Sequence, residues 1–382
     1  MIMMYSLRSG FFLSALLAGG SGAWAQSQDV VALRSSLSIL NNDNFFSAAA
    51  NPVSERVTTQ TIGVRVAIPE GLQRFELDAS LTGNQHQTYT NFDFIAQNYS
   101  AGWMWSVTPQ FHGSLTSARA ESLNAAIDNA NPNVRNKNTT QNTALSAVYE
   151  MGGPWQLTGG VSNSNSINEQ ALVAGQSDNR STGVNAGVRY VLGSGSSLAY
   201  SLQNANGTST NDYTSTTHDI NGVWVLTGNT TLNGRIAQLQ QRYGATPQFD
   251  FSGVFGAVTV IWRVSGKLSM TAGWQRDLVS YQTTGTTHTQ TDAFSFGPLW
   301  QISPKTSLRL QHRNAVRDDQ GNPTGIPGTR QDRLQDSTIS FSWQPRPLAT
   351  LSAALGEARR NSNAANADFV ARTFSVAVLF NF

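Results

Sequence analysis

The last eleven residues, Arg372 to Phe382, read RTFSVAVLFNF, and no other stretch restricts the fold so tightly. Phe374, Val376, Val378, Phe380 and Phe382 alternate with Thr373, Ser375, Ala377, Leu379 and Asn381, and the last residue is aromatic. A side-chain period of two sends the first set to one face of a β-strand and the second to the other. In water, such an apolar row on a strand edge would invite aggregation. In a transmembrane barrel the same row meets lipid, the strand is paired on both sides, and the final ring sits at an interface. The alternative is a last strand buried inside a soluble sandwich.

The amino-terminal end decides the compartment. Met1 to Ala25 carries an early basic residue (Arg8), an apolar run from Phe11 to about Leu17, and the small-x-small exit Ala23-Trp24-Ala25. This pattern is a secretory signal peptide, with cleavage expected after Ala25. No later run approaches the roughly 20 apolar residues that a spanning helix needs. The chain has no cysteine, which excludes both a lipid-anchored start and a disulfide framework. An exported chain of this kind can still cross a membrane as a closed sheet, where every backbone group is paired. The expected organisation is a signal peptide over 1–25 and one outer-membrane barrel over 26–382.

Composition agrees with alternation between a wet and an oily face. Charged residues make up 13% of the chain and hydrophobic ones 39%, with nine Trp, nine Tyr and 18 Phe, too aromatic for a disordered segment. The formal charge is only +2, so bulk charge gives no reason to expect nucleic acid as a partner.

Turn chemistry recurs along the chain. Pro69-Glu70-Gly71, Thr108-Pro109, Gly152-Gly153-Pro154, Gly193 to Ser196, Thr227-Gly228-Asn229, Ser265-Gly266, Ser303-Pro304-Lys305 and Gln344 to Pro347 each separate two alternating runs. Longer polar connections lie between them, near 43–55, 86–91, 124–138, 168–178, 206–213, 243–249, 282–289, 316–332 and 361–369. Short turns alternating with longer loops predict an all-β antiparallel up-and-down barrel of about 18 strands, with both termini periplasmic.

Outward faces are legible near the short turns, as in Ile62, Val64, Val66 and Ile68, or Phe75, Leu77, Ala79 and Leu81. Trp103, Trp105, Trp155, Trp224, Trp262, Trp300 and Trp343 all fall close to a short turn, which predicts an aromatic girdle at the periplasmic interface. Around Arg235 and Arg276 neither parity is cleanly apolar, so the register there stays open. A short helix or a strand end both suit Ala118 to Asp128.

The opposite parity would line an aqueous channel. It is mostly Ser, Thr, Gly, Gln and Asn, interspersed with Arg34, Arg65, Arg74, Arg189, Arg263, Arg309, Arg313 and Arg360; inward acids are fewer, Glu76, Asp78 and Glu150 being the clearest. A guanidinium surplus in a confined pore would concentrate anions, each group holding a carboxylate through two bonds. The other reading is that these arginines brace the wall against acids on neighbouring strands.

Enzymatic signals are absent. The five histidines show no ligand spacing, which predicts no metal site and no cofactor. His218-Asp219 on a strand would point to opposite faces, wrong for a catalytic pair. Asn41 to Asn44 and Asp318 to Asn322 are oxygen-rich but lack the spacing of a calcium loop.

Leu72 to Thr82 (LQRFELDASLT), Tyr99 to Pro109 (YSAGWMWSVTP) and Phe111 to Leu115 resemble barrel proteins encoded with exopolysaccharide biosynthesis genes, the EpsL-like family of β-barrel porins. The resemblance implies export of a secreted polysaccharide chain across the outer membrane, with separate periplasmic export proteins supplying the work. Outer-membrane lipid and the barrel-assembly machinery would be further partners, the latter through Phe374 to Phe382. No substrate-contacting residue comes with the resemblance. The alternative is a general diffusion porin for small solutes, and a third reading is a structural or adhesive barrel.

Overall fold

The structure is a computed structural model that describes residues 30–124, 133–170, 178–283, 285–325 and 330–382. The signal-peptide assignment therefore lies outside the described residues. The strands are β1 (Val31–Asn42), β2 (Glu55–Glu70), β3 (Gln73–His86), β4 (Phe94–Thr108), β5 (Phe111–Leu123), β6 (Lys137–Glu150), β7 (Trp155–Asn168), β8 (Asn179–Val191) and β9 (Ser197–Thr208). They continue as β10 (Asp212–Thr227), β11 (Thr230–Arg242), β12 (Phe251–Arg263), β13 (Leu268–Thr283), β14 (Thr286–Ser303), β15 (Thr306–Gln320), β16 (Gln331–Arg346), β17 (Ala349–Ser362) and β18 (Phe369–Asn381).

Each strand pairs antiparallel with its sequence neighbour, and β1 pairs with β18, so 18 strands close into one cylinder. The closing seam runs from Arg34↔Asn381 to Asn42↔Thr373. Leu33 and Phe382 extend it by exchanging two backbone bonds of 3.0 and 2.7 Å. Closure leaves no free edge across the apolar belt, the condition for a sheet in hydrocarbon.

Parity places the side chains as the sequence suggests. Ile62 (62% exposed), Leu77, Trp103, Trp155, Leu355 and Phe374 stand on the outer face, with no protein over them. The strand pairings put all seven tryptophans near the short turns on that same face, where Phe75 stacks on Trp103 (6.0 Å) and Trp155 meets Tyr190 edge-on (4.8 Å). This is the girdle, and it marks the periplasmic rim. Moving toward the other rim, the outer face turns polar at Gln60, Gln97, Asn163, Thr182, Asn204, Gln238 and Gln335. The wall thus projects beyond the lipid on the side of the longer connections.

Two expected loops are mostly strand. Connection 206–213 shrinks to the turn between Thr208 and Asp212, and 282–289 to the two residues between Thr283 and Thr286, of which 284 lies outside the described residues. Likewise β15 runs on to Gln320 within the expected loop 316–332. Residues 118–123 are strand rather than helix; 125–132 lie outside the described residues.

Packing concentrates at the outer mouth, where the connection after β1 folds onto the one after β3. Phe45, Phe46, Tyr89 and Phe92 form an aromatic cluster, with centroids 4.8 to 6.0 Å apart. Buried Asn44 donates to the Ala48 and Val370 carbonyls, both at 2.9 Å. The buried Glu55 carboxylate accepts the Gln87, Thr88 and Tyr89 N–H groups at 2.8 to 3.1 Å. Between the outer connections flanking β6 and β7, Arg135 grips Glu169 through two nitrogens, one at 2.9 Å. Those two hydrogen bonds hold the Glu169 carboxyl below its ordinary range, against the opposing effect of partial burial.

Candidate functional site: the lumen

The strand pairings place Arg34, Arg65, Arg74, Arg189, Arg263, Arg309, Arg313 and Arg360 all on the inner face. They do not form one site. Arg34 crosses over Gly63 to hold both oxygens of Asp78 on the strand beyond. A Cβ at Gly63 would stand 2.7 Å from the Arg34 Nε, so glycine makes room for that crossing. Arg74 pairs with Glu76 at 2.5 Å, Arg313 with Asp336 at 3.5 Å, and Arg360 lies 3.9 Å from Asp332 while donating to the Ala367 carbonyl. These four brace the wall.

Arg65, Arg189, Arg263 and Arg309 behave differently: their guanidinium groups make no ion pair or hydrogen bond among the described residues. Arg189 is the third residue from the end of β8, Arg263 ends β12, and Arg309 is the fourth residue of β15. Three unpaired cations therefore stand near the periplasmic end of the bore, with Arg65 somewhat deeper.

Several lumen groups escaped the sequence reading. Arg235 resolves inward, 2.5 Å from Asp219, whereas Arg276 resolves outward and pairs with Asp292 at 2.8 Å. Asp219, Asp277, Asp319, Asp332 and Asp336 also face inward, so the guanidinium surplus is smaller than expected. Asp319 and Asp332 lie inside what the sequence suggested was a loop, which hid their parity.

Charge is also unevenly spread around the bore. From β4 to β9 the inner face is mostly Ser, Thr, Asn, Gln, Gly and Ala. Its ionisable inward groups among the described residues are His112, Glu150 and Arg189, all at the periplasmic rim. The remaining strands carry the other inward charges.

Among the described residues His218 and Asp219 do not form a catalytic pair. His218 faces outward to the Tyr200 hydroxyl (2.9 Å) while Asp219 faces inward to Arg235. Among the described residues no group of three His, Asp or Glu is placed to hold a metal ion.

A closed, even-stranded cylinder with an apolar belt, an aromatic girdle and a polar bore is an outer-membrane β-barrel. Solved barrels share its architecture. The chain is similar to the outer membrane protein OpdK from Pseudomonas aeruginosa (TM-score 0.54, 12% identity, 92% of this chain and 99% of that one). It is similar to a BenF-like porin from Pseudomonas fluorescens Pf-5 (TM-score 0.56, 11% identity, 92% and 99%) and to OccK2 (OpdF) from Pseudomonas aeruginosa (TM-score 0.56, 12% identity, 92% and 97%). At such identity the likeness concerns the fold. No protein-family model matches the chain, and no curated protein does.

Proposed function

We propose that this barrel is a porin, a passive outer-membrane channel for small solutes with a preference for anions. The observation that carries this reading is the set of unpaired inward arginines, Arg65, Arg189, Arg263 and Arg309. An unpaired guanidinium in a narrow bore raises the local anion concentration and offers a planar, two-pronged grip that releases easily in water. The structural likeness to porins supports it, and two of the similar barrels were crystallised with vanillate or glucuronate. Planar-bilayer reversal potentials under a salt gradient test it. The unmodified protein is expected to favour the anion, and replacing the four arginines by Gln together should bring selectivity close to neutral. Arg74→Gln alone should change little, because Glu76 already offsets it. Cation preference in the unmodified pore would sink the reading.

A second reading, passage of a secreted polysaccharide with separate periplasmic proteins, has one observation in its favour. The uncharged hydroxyl and amide wall from β4 to β9 suits a hydrated, hydroxyl-rich chain. Deleting the gene separates the two: a porin leaves secreted polysaccharide untouched and slows entry of small anions.

A further inference from the structure

The wall parts in two places. Between β4 and β5 the ladder stops at Tyr99↔Arg119, and side chains bridge what remains: the Gln97 N–H donates to Glu121 and the Glu121 N–H to Asn98 Oδ1, both at 2.8 Å. Between β12 and β13 the ladder stops at Gly256↔Arg276, although β12 begins at Phe251 and β13 runs to Thr283. No paired positions follow. Yet β13 stays zipped to β14 as far as Thr283↔Thr286, and β14 to β15 as far as His288↔Gln320, so the upper part of this hairpin is hinged on β15 and has parted from the wall only along β12.

Its direction is fixed by what its even-numbered side chains touch. Lower on β13 that rank faces lipid, as Trp274 does. Higher up it lies against the inner face of β11 and β12. Leu278 Cδ1 sits 2.6 Å from where a Cβ at Gly253 would stand, so the leucine packs into the space the glycine leaves. The His288 ring stacks on Phe251 at 4.5 Å, and Ser280 Oγ is 2.6 Å from the hydroxyl of Tyr243, which is fully buried. Gln282 accepts a 2.8 Å bond from Asn211, in the turn after β9. Phe251 and Gly253 pair with Gln241 and Leu239 on the inward rank. The hairpin therefore crosses the lumen side of two strands.

We propose that the β13–β14 hairpin is a gate at the outer mouth, a role that rests on the channel reading. Closed, it overlaps the inner face of β11–β12 and narrows the bore. Open, it returns to the wall by continuing the existing register: Phe255↔Asp277, Val254↔Leu278, Gly253↔Val279, Ser252↔Ser280 and Phe251↔Tyr281. Opening gains backbone pairs and gives up the Leu278, His288 and Tyr243 packing, so the same residues serve both states without a change of parity.

The native chain has no cysteine, which makes the test direct. Gly253→Cys with Leu278→Cys joins positions adjacent in the closed state; Ser252→Cys with Ser280→Cys joins positions opposed only after rezipping. Both pairs are oxidised in membranes, read by mass spectrometry of the linked peptides, and followed by conductance with and without reductant. Both are expected to crosslink, the first lowering conductance reversibly and the second fixing the higher level. In a cysteine-free background, Tyr243→Phe should raise the open-to-closed ratio about fivefold, the effect of one ordinary hydrogen bond. A 252/280 pair that never links while 253/278 does, or identical conductance in both linked forms, overturns the gate. Were no variant to conduct, the channel reading would fall, while the linkage pattern would still report whether the hairpin moves.

Discussion

At the scale of single residues, the lumen separates into braces and free charges. Parity along a strand made the inward arginines visible in the sequence, since one step flips a side chain between lipid and water. Partners were not visible. Arg34 reaches Asp78 two strands away only because Gly63 lies between them, and Arg235 finds Asp219 only once the register of β10 against β11 is set. The second pair is the more consequential, because the Asp219 side chain is 7% exposed and Arg235 25%. Asp219→Ala would strand a largely desolvated guanidinium, and loss of one partner of a buried pair costs about 3–5 kcal/mol. With Arg235 still partly wet, about 2 kcal/mol is expected in urea unfolding from detergent micelles. Glu76→Gln, whose partner Arg74 is half exposed, should cost under about 1 kcal/mol. Equal costs would show that burial at Asp219 carries no weight.

At the scale of elements, strands were legible wherever they touch lipid and obscure where they do not. β18 shows the first case: Phe374, Val376, Val378, Phe380 and Phe382 share the outer face, and Leu379 and Asn381 the inner. Val378→Arg puts a charge in the belt and should destabilise by about 2–4 kcal/mol in refolding from urea into liposomes. Ala377→Arg, facing water in the bore, should cost far less; a matching loss would mean the faces are assigned the wrong way round. The outer ends of β9, β10, β13 and β14 show the second case. Both faces there are polar, the period of two vanishes, and paired strand reads as loop.

At the scale of the whole molecule, closure is the decisive property. Each strand is bonded on both sides across the lipid belt, so unfolding there must break a ladder closed all the way round, even though the outer ends of β12 and β13 have parted. The protein should therefore resist dodecyl sulfate at room temperature and migrate as a compact species, shifting only after boiling. Identical mobility before and after heating would deny a closed cylinder.

What the sequence by itself determined is the alternation: which residues face lipid, which face the bore, and how many times the chain turns. Each of these depends on neighbours along the chain, through a repeat of two and the residues that permit a tight turn. The tertiary structure alone decided which arginines are spent on acids and which stand free, and that one hairpin parts from β12 and laps its lumen face. Those outcomes depend on register between strands far apart in sequence and on the space left by Gly63 and Gly253, quantities that no local pattern encodes.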